Sequence, residues 1–133
     1  MIAHIWRGWA TAGNADAYQH VVSTQVLPDI AARNLEGYHG AYLLRRTLEN
    51  GEVEFSTILL FNSIDNVKAF TGEDYSVAHV PPEARAVLAR FDERSAHYDT
   101  LLTPWDHAAR VRAMSGLAIR RRASSRATPR HST

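Results

Sequence analysis

The sequence contains no cysteine, which excludes disulfides, thiolate nucleophiles and cysteine-ligated metal sites. No stretch approaches the roughly 20 consecutive apolar residues of a membrane-spanning helix. The first residues, MIAHIWRGWAT, lack the long apolar core and the cleavage site of a signal peptide. A glycine-rich phosphate loop, a GxSxG elbow and HExxH metal spacing are also missing. We therefore expect a cytoplasmic protein that has no membrane segment and uses none of these chemistries.

The charge is distributed unevenly along the 133 residues. Residues 104–133 contain seven Arg and one Asp, a formal charge of +6, whereas residues 1–103 carry −5 and the whole chain +1. This predicts a mildly acidic domain over 1–103 and a basic tail over 104–133. The tail offers a short helix from Trp105 to Leu117, and its Arg/Ser/Thr-rich end predicts disorder. The alternative to a solvated tail is an electrostatic contact with nucleic acid, anionic lipid or the acidic domain, and only the tail favours nucleic acid.

The first half of the domain alternates strand and helix signals. MIAHIWRGWA predicts a strand, and Asn14 is a good N-cap for the helix that follows. Four apolar residues at i+4 spacing predict an amphipathic helix over 15–32. Pro28 lies inside it and should kink or restart the helix, because proline lacks a backbone donor.

The second half contains a hairpin and two further helix signals. GYHGAYLLRRTL and VEFSTILLFN predict two strands joined at Asn50-Gly51, a strong hairpin signal. Ser63 should cap a helix that Gly72 ends, and Pro81-Pro82 should start another with apolar positions as far as Phe91. ERSAHYDTLLT predicts the last strand. Strand, helix, hairpin, helix, strand is the order of an α+β, ferredoxin-like split βαβ fold with an antiparallel sheet.

Both faces of the predicted strands are apolar. In the strand from Val53 to Phe61, Leu59 and Phe61 share one face, whereas Ile58 and Leu60 share the other. The helices can cover only one face of a four-stranded sheet. A second copy of the chain is the simplest cover for the other, because soluble monomers avoid large apolar patches. The pattern therefore predicts a homodimer, a dimeric α/β barrel.

Several segments resemble one family. MIAHIWRGWAT, GYHGAYLLRR, EVEFSTILLFNSIDNVKAFTGEDY and VPPEARAVLARFDERSAHYD are similar to the antibiotic biosynthesis monooxygenase superfamily of dimeric α/β barrels, over roughly residues 1–102. Its members include cofactor-free oxygenases that turn phenols into quinones, quinol oxygenases, haem-degrading enzymes and proteins of unknown role. The resemblance implies the same fold and a homodimer.

The quinone-forming members imply a specific chemistry. There the substrate phenolate itself gives an electron to O2, so neither a metal nor a flavin is needed. The protein supplies an apolar cavity and a few polar groups that promote deprotonation. On this reading the catalytic residues are His79 and Tyr75. The expected contacts to a small aromatic substrate come from His4, Trp6, Tyr38, Tyr42, Phe70 and His97.

Two other readings stay open. The chain could be a ligand-binding or stress-response barrel without catalysis, in which His79 is a surface loop residue. The haem-degrading members have an Asn on the first strand, a Trp on the second helix and a His ten residues later. Here these positions fall near Trp6, on Ala69 and on His79, so one of three matches. His97 could pair with Asp99 two residues on, and Tyr98, on the opposite face, is expected in the core.

Overall fold

The computed structural model describes residues 1–106. It divides into two compact units, Met1–Thr100 and a second that begins at Leu101. In the described start of the second unit, Thr103 and Asp106 exchange side-chain-to-backbone hydrogen bonds of 3.0 and 3.3 Å. The predicted tail helix reaches beyond residue 106, and the predicted disordered end follows it, so both predictions concern sequence outside the described residues.

The first unit is built on an antiparallel sheet. Its strands are β1 (Ile2–Ala10), β2 (Tyr38–Thr47), β3 (Val53–Phe61), β4 (Arg90–Phe91) and β5 (Ala96–Asp99). The sheet order is β2-β3-β1-β4, and β5 pairs with the other end of β1. Two short strands, β4 and β5, therefore pair with opposite ends of β1 where a single last strand was expected. This topology confirms the α+β, ferredoxin-like prediction.

The first crossover is helical over the predicted range, and its centre is irregular. It contains α1 (Ala15–Val21), a π-helical turn (Val22–Val26) and α2 (Leu27–Ala32). Pro28 is the second residue of α2, so the helix restarts at the proline as predicted. The Leu27 N–H donates to the Val22 carbonyl, the wider spacing of a π-helix.

The second crossover begins with a capped helix. In α3 (Ile64–Thr71), the Ser63 hydroxyl accepts a hydrogen bond from the Asn66 N–H, which confirms the predicted cap. The α4 helix (Pro82–Arg85) is a single turn. Gly72 ends α3 with a φ of 101°, a conformation that favours glycine.

The helix predicted from Pro81-Pro82 to Phe91 is wrong beyond its first turn. Phe91 lies in β4, where it pairs with Gly8. The Ala89 N–H donates to the Trp9 carbonyl at 2.7 Å, and the Asp92 N–H donates to the carbonyl of Arg7 at 2.9 Å. Hydrogen bonds to the free edge of β1 therefore replace the helical ones, which local propensity cannot anticipate.

The register assigns the strand residues to two faces. The inner face packs against the helices, because Tyr18 and Val22 form one core cluster with Phe55, and Ile30 and Val67 form another with Leu59. The outer face carries the alternate residues of the same strands. Among its large side chains are Ile5, Tyr42, Leu44, Ile58 and Tyr98.

Tyr38 and Tyr42 would share a face if β2 alternated regularly, but they do not. Tyr38 pairs with Phe61, whereas Gly40 pairs with Leu60, so one extra residue of β2 forms a bulge. A bulge shifts the alternation by one residue. Tyr38 consequently packs in the inner core, and Tyr42 lies on the outer face.

Tyr98 is also exposed rather than buried, contrary to the prediction. Tyr98 is 57% exposed on the outer face, which also carries Tyr42 at 43% and Leu44 at 52%. Among the described helices, none combines the length and hydropathy that crossing a bilayer requires.

Candidate functional site

A cavity of about 320 Å³ lies between the inner face of the sheet and the helices. Its floor comes from β1 and β3, and one wall comes from the crossover between Tyr18 and Arg33. The end of α3, the loop over residues 77–81 and α4 close the other wall. The volume is at the small end of ligand pockets and suits a compound of one or two rings.

Aromatic side chains form much of the cavity's surface. Trp6 lies on the floor, where its indole N–H donates to the Asp92 carbonyl at 2.6 Å. Tyr18 packs edge to face on Phe55, with ring centroids 4.7 Å apart. Phe70 lies at the end of α3, and the Arg33 guanidinium is 5.3 Å above its ring. These faces can sandwich a flat aromatic ligand.

A pair of histidines lies at one end of this floor. The Nδ1 of His4 and the Nε2 of His97 are 2.8 Å apart, a hydrogen bond between β1 and β5. His4 is 5% exposed and also contacts the edge of Phe70. Burial, and secondarily the nearby His97, lowers the pKa of His4 from 6.5 to about 4. Burial also lowers the pKa of His97. Both rings are therefore neutral at neutral pH.

The predicted base, His79, lines the cavity from the loop before α4. Its Nε2 donates to the Thr71 carbonyl at 3.1 Å, which leaves Nδ1 without the proton. Tyr75 does not line the cavity. Its ring edge contacts His97, with centroids 4.9 Å apart, and its carbonyl accepts from the Thr71 hydroxyl. Tyr75 thus supports the histidine pair from behind.

The fold brings only some of the other predicted contact residues to the cavity. His4, Trp6 and Phe70 line the cavity, whereas Tyr38 and Tyr42 do not. His97 reaches the site through His4, and its described side-chain hydrogen bond is to that residue rather than to Asp99. Of the three positions compared with the haem-degrading members, Trp6 and His79 line the cavity and Ala69 does not. Since Trp6 replaces the Asn of those members, the haem-degrading reading gains nothing from this arrangement.

Tyr18, one of the four residues at i+4 spacing in the helical range 15–32, is also a polar group of the cavity. Burial raises the pKa of Tyr18 to about 12, partly offset by a hydrogen bond with Thr57. The hydroxyl therefore stays protonated and can donate to a ligand oxygen. Its i+4 spacing with Val22 was the only sequence signal, and that spacing is the same for a core tyrosine.

A metal centre finds no support in the described residues, which contain no group of three or more side chains of the His, Cys, Asp and Glu types able to hold an ion. The two histidines bond to each other, and the carboxylates of Asp29 and Glu83 occur elsewhere along the cavity lining. The arrangement can bind an aromatic ligand, donate hydrogen bonds to it and exchange protons with it.

No family model matches the sequence, and no curated protein does. A crystal structure from Bacillus cereus, of a protein provisionally named an antibiotic biosynthesis monooxygenase, superimposes with a TM-score of 0.54 at 12% identity, over 77% of this chain and 92% of that one. The chain shares the α+β, ferredoxin-like fold of that protein. At this identity the likeness supports the fold alone. The resemblance seen in the sequence is thereby confirmed as a structural one.

In this ferredoxin-like fold, all of the cavity residues come from the Met1–Thr100 unit. The outer face of the sheet takes no part in the cavity. The homodimer predicted for that face stays a prediction, and so do the roles of the individual site residues.

Proposed function

We propose that this protein is a cofactor-independent monooxygenase that oxidises a small aromatic phenol or quinol with O2. The observation that carries the proposal is a cavity with aromatic walls whose floor contains a buried, neutral imidazole. Apolar walls select a flat ring, and the polar groups select its hydroxyl. The fold is compatible with this activity, and the name of the Bacillus cereus protein points the same way.

The chemistry requires only substrate, O2 and proton transfer. An imidazole accepts the phenol proton, and the phenolate passes one electron to O2. Recombination forms a carbon–oxygen bond on the ring, and loss of water leaves a quinone. One phenol and one O2 thus give one quinone and one water. Tyr18 suits the anionic stage, because a hydroxyl that stays protonated can donate to the phenolate oxygen.

Two imidazoles of the cavity could accept the proton. His79 is the prediction from sequence, and its bare Nδ1 is chemically suitable. We expect His79→Gln to lower turnover by roughly 10²-fold if it is the base, the usual scale for loss of a general base. His20→Gln is the matched control, since His20 is exposed on α1 outside the cavity. Full turnover in His79→Gln would instead assign the role of base to His4 on the cavity floor.

The decisive experiment measures O2 uptake and quinone formation by purified protein with phenols, hydroquinones and haem. We expect uptake with a one- or two-ring phenol or quinol, and loss of uptake in Val26→Trp, which fills the cavity. Ala12→Trp places the same side chain on an exposed turn and should keep the activity. Binding measured by calorimetry without O2 uptake would instead establish a ligand-binding barrel. Uptake with haem alone would favour the haem-degrading reading.

A further inference from the structure

The His4–His97 pair has an open nitrogen at each end. His4 Nδ1 and His97 Nε2 bond to each other, and neither outer nitrogen has a protein partner in the described residues. Thr100 Oγ1 is the one buried, unpartnered side-chain polar atom there. His4 is buried and lines the cavity, whereas His97 is partly exposed and does not line it. The pair therefore connects the cavity to a partly exposed position on β5.

His4 is unfavourable as a base that accepts the proton and keeps it. His4 is 5% exposed and packs against the rings of Phe61 and Phe70. A positive charge there would lose its hydration without gaining a carboxylate partner, and the pKa of His4 is low for this reason. A proton taken from a ligand must consequently move on if the floor is to stay neutral.

We propose that His4 and His97 form a proton relay that takes the hydroxyl proton of a bound phenol at the cavity floor and releases a proton at β5. The inference rests on the proposed function for its substrate class. It assigns proton acceptance to a pair of residues 93 positions apart, in place of His79.

The proton balance closes without a charged imidazole. At the start, His4 Nδ1–H donates to His97 Nε2, and His97 carries its proton on Nδ1. The phenol proton moves to His4 Nε2, the His4 Nδ1 proton moves to His97 Nε2, and the His97 Nδ1 proton leaves to solvent. Both rings end neutral in the opposite tautomer. His4 Nε2–H then donates to the phenolate oxygen and stabilises it.

Other titratable groups lie close to the pair, and their protonation must be distinguished from that of the two histidines. Tyr75 contacts the ring of His97, and Asp99 follows two residues later on β5. The titratable or charged side chains that share the cavity with His4 are Tyr18, Asp29, Arg33, His79 and Glu83. A test must therefore report on the two imidazoles individually rather than on a pH profile alone.

The direct test is nitrogen NMR of the imidazoles in ¹⁵N-histidine-labelled protein under nitrogen, with para-nitrophenol as the probe. We expect His4 to change from the Nδ1–H to the Nε2–H tautomer and His97 to change with it, both remaining neutral. His20 should not respond. A change in His4 alone, no change in either ring, or a positive charge on either ring would overturn the relay. This measurement uses the unaltered chain, so folding of a variant is not in question.

A second test measures how fast bound para-nitrophenol ionises after mixing, from its visible absorbance. His97→Gln keeps a donor and an acceptor beside His4 and cannot pass a proton between two ring nitrogens. We expect ionisation of the bound probe to be roughly 10-fold slower or more at neutral pH, because the route through the second ring is lost. His20→Gln should match the wild type. An unchanged His97→Gln, or a probe that binds only as the neutral phenol, would refute the relay.

The two proposals can fail separately. Neither measurement consumes O2, so coupled tautomers without O2 uptake would retain the relay and reject the monooxygenase. O2 uptake with unresponsive tautomers would retain the monooxygenase and reject the relay.

Discussion

The two faces of the sheet are built from the same three long strands, but the helices pack against only one of them. The inner face carries His4, Trp6 and Phe55, which the helices and the cavity enclose. The outer face carries Tyr42 and Leu44, both substantially exposed. Alternation along each strand produces both faces at once. Within the described residues, the sheet therefore has one side with a ligand-sized cavity and a second side on which large apolar side chains stay exposed.

The outer face is not uniformly apolar. Near one end, Arg46 pairs with Glu54 across β2 and β3 at 3.1 Å. The Trp9 ring lies under the Arg90 guanidinium at 4.2 Å. Because the guanidinium groups of Arg46 and Arg90 are exposed, both contacts contribute little to stability. They define a polar end next to the apolar centre, which is the pattern of a protein–protein interface with a polar rim.

The largest expected effect comes from the inner face. Phe55 is fully buried beneath Tyr18, so Phe55→Ala should lower the free energy of unfolding by about 3–5 kcal/mol. Chemical denaturation at several protein concentrations measures this loss, which should not depend on concentration. Leu44→Ala is the outer-face counterpart, and its loss should grow with protein concentration. Equal, concentration-independent losses would contradict the distinction between the faces.

Acid should destabilise the inner face through His4. Its folded pKa of about 4 lies below its ordinary 6.5, so the unfolded chain binds the proton first as the pH falls. This contribution is complete above pH 6.5 and is lost between 6.5 and 4, about 3 kcal/mol in all. Denaturation across that pH range should show the loss in the wild type and a smaller one in His4→Gln. Parallel curves for the two proteins would show that His4 is not responsible.

The outer face should hold two copies together. Leu44→Asp would bury an unpaired carboxylate in the predicted dimer and weaken association by roughly 30-fold, about 2 kcal/mol. Sedimentation at low micromolar concentration measures the change. Ala12→Asp adds the same charge on an exposed turn and should leave association unchanged. A wild-type species of 14.9 kDa at that concentration would rule out the dimeric barrel.

The smallest effect concerns the cap of α3, which supplies Phe70 to the cavity. Ser63→Ala removes the acceptor for the Asn66 N–H and should cost about 1 kcal/mol of unfolding free energy. Ser63→Asp keeps an acceptor and should restore most of it. Thermal denaturation of the two variants makes the comparison. A loss of stability in Ser63→Asp equal to that in Ser63→Ala would mean that capping is not the cause.

Local signals predicted most of the fold. The i+4 spacing found the helical range 15–32, Ser63 marked the start of α3, and Asn50-Gly51 marked the hairpin, where Gly51 has a φ of 92°. Each depends on residues within a few positions of one another. The errors came from long-range pairing. The β2 bulge placed Tyr38 and Tyr42 on different faces of the sheet. Pairing with the edge of β1 placed Phe91 in a strand instead of a helix.

The sequence by itself determined the element order, the absence of cysteine chemistry and the two apolar faces of the sheet, because alternation and capping act over a few residues. Only the tertiary structure decided which groups meet. His4 and His97 are 93 positions apart and touch because β5 pairs in register with β1. Tyr75 came to support that pair, and His79 came to line the same cavity. Strand register is fixed by the packing of the whole domain, so no local pattern could predict these contacts.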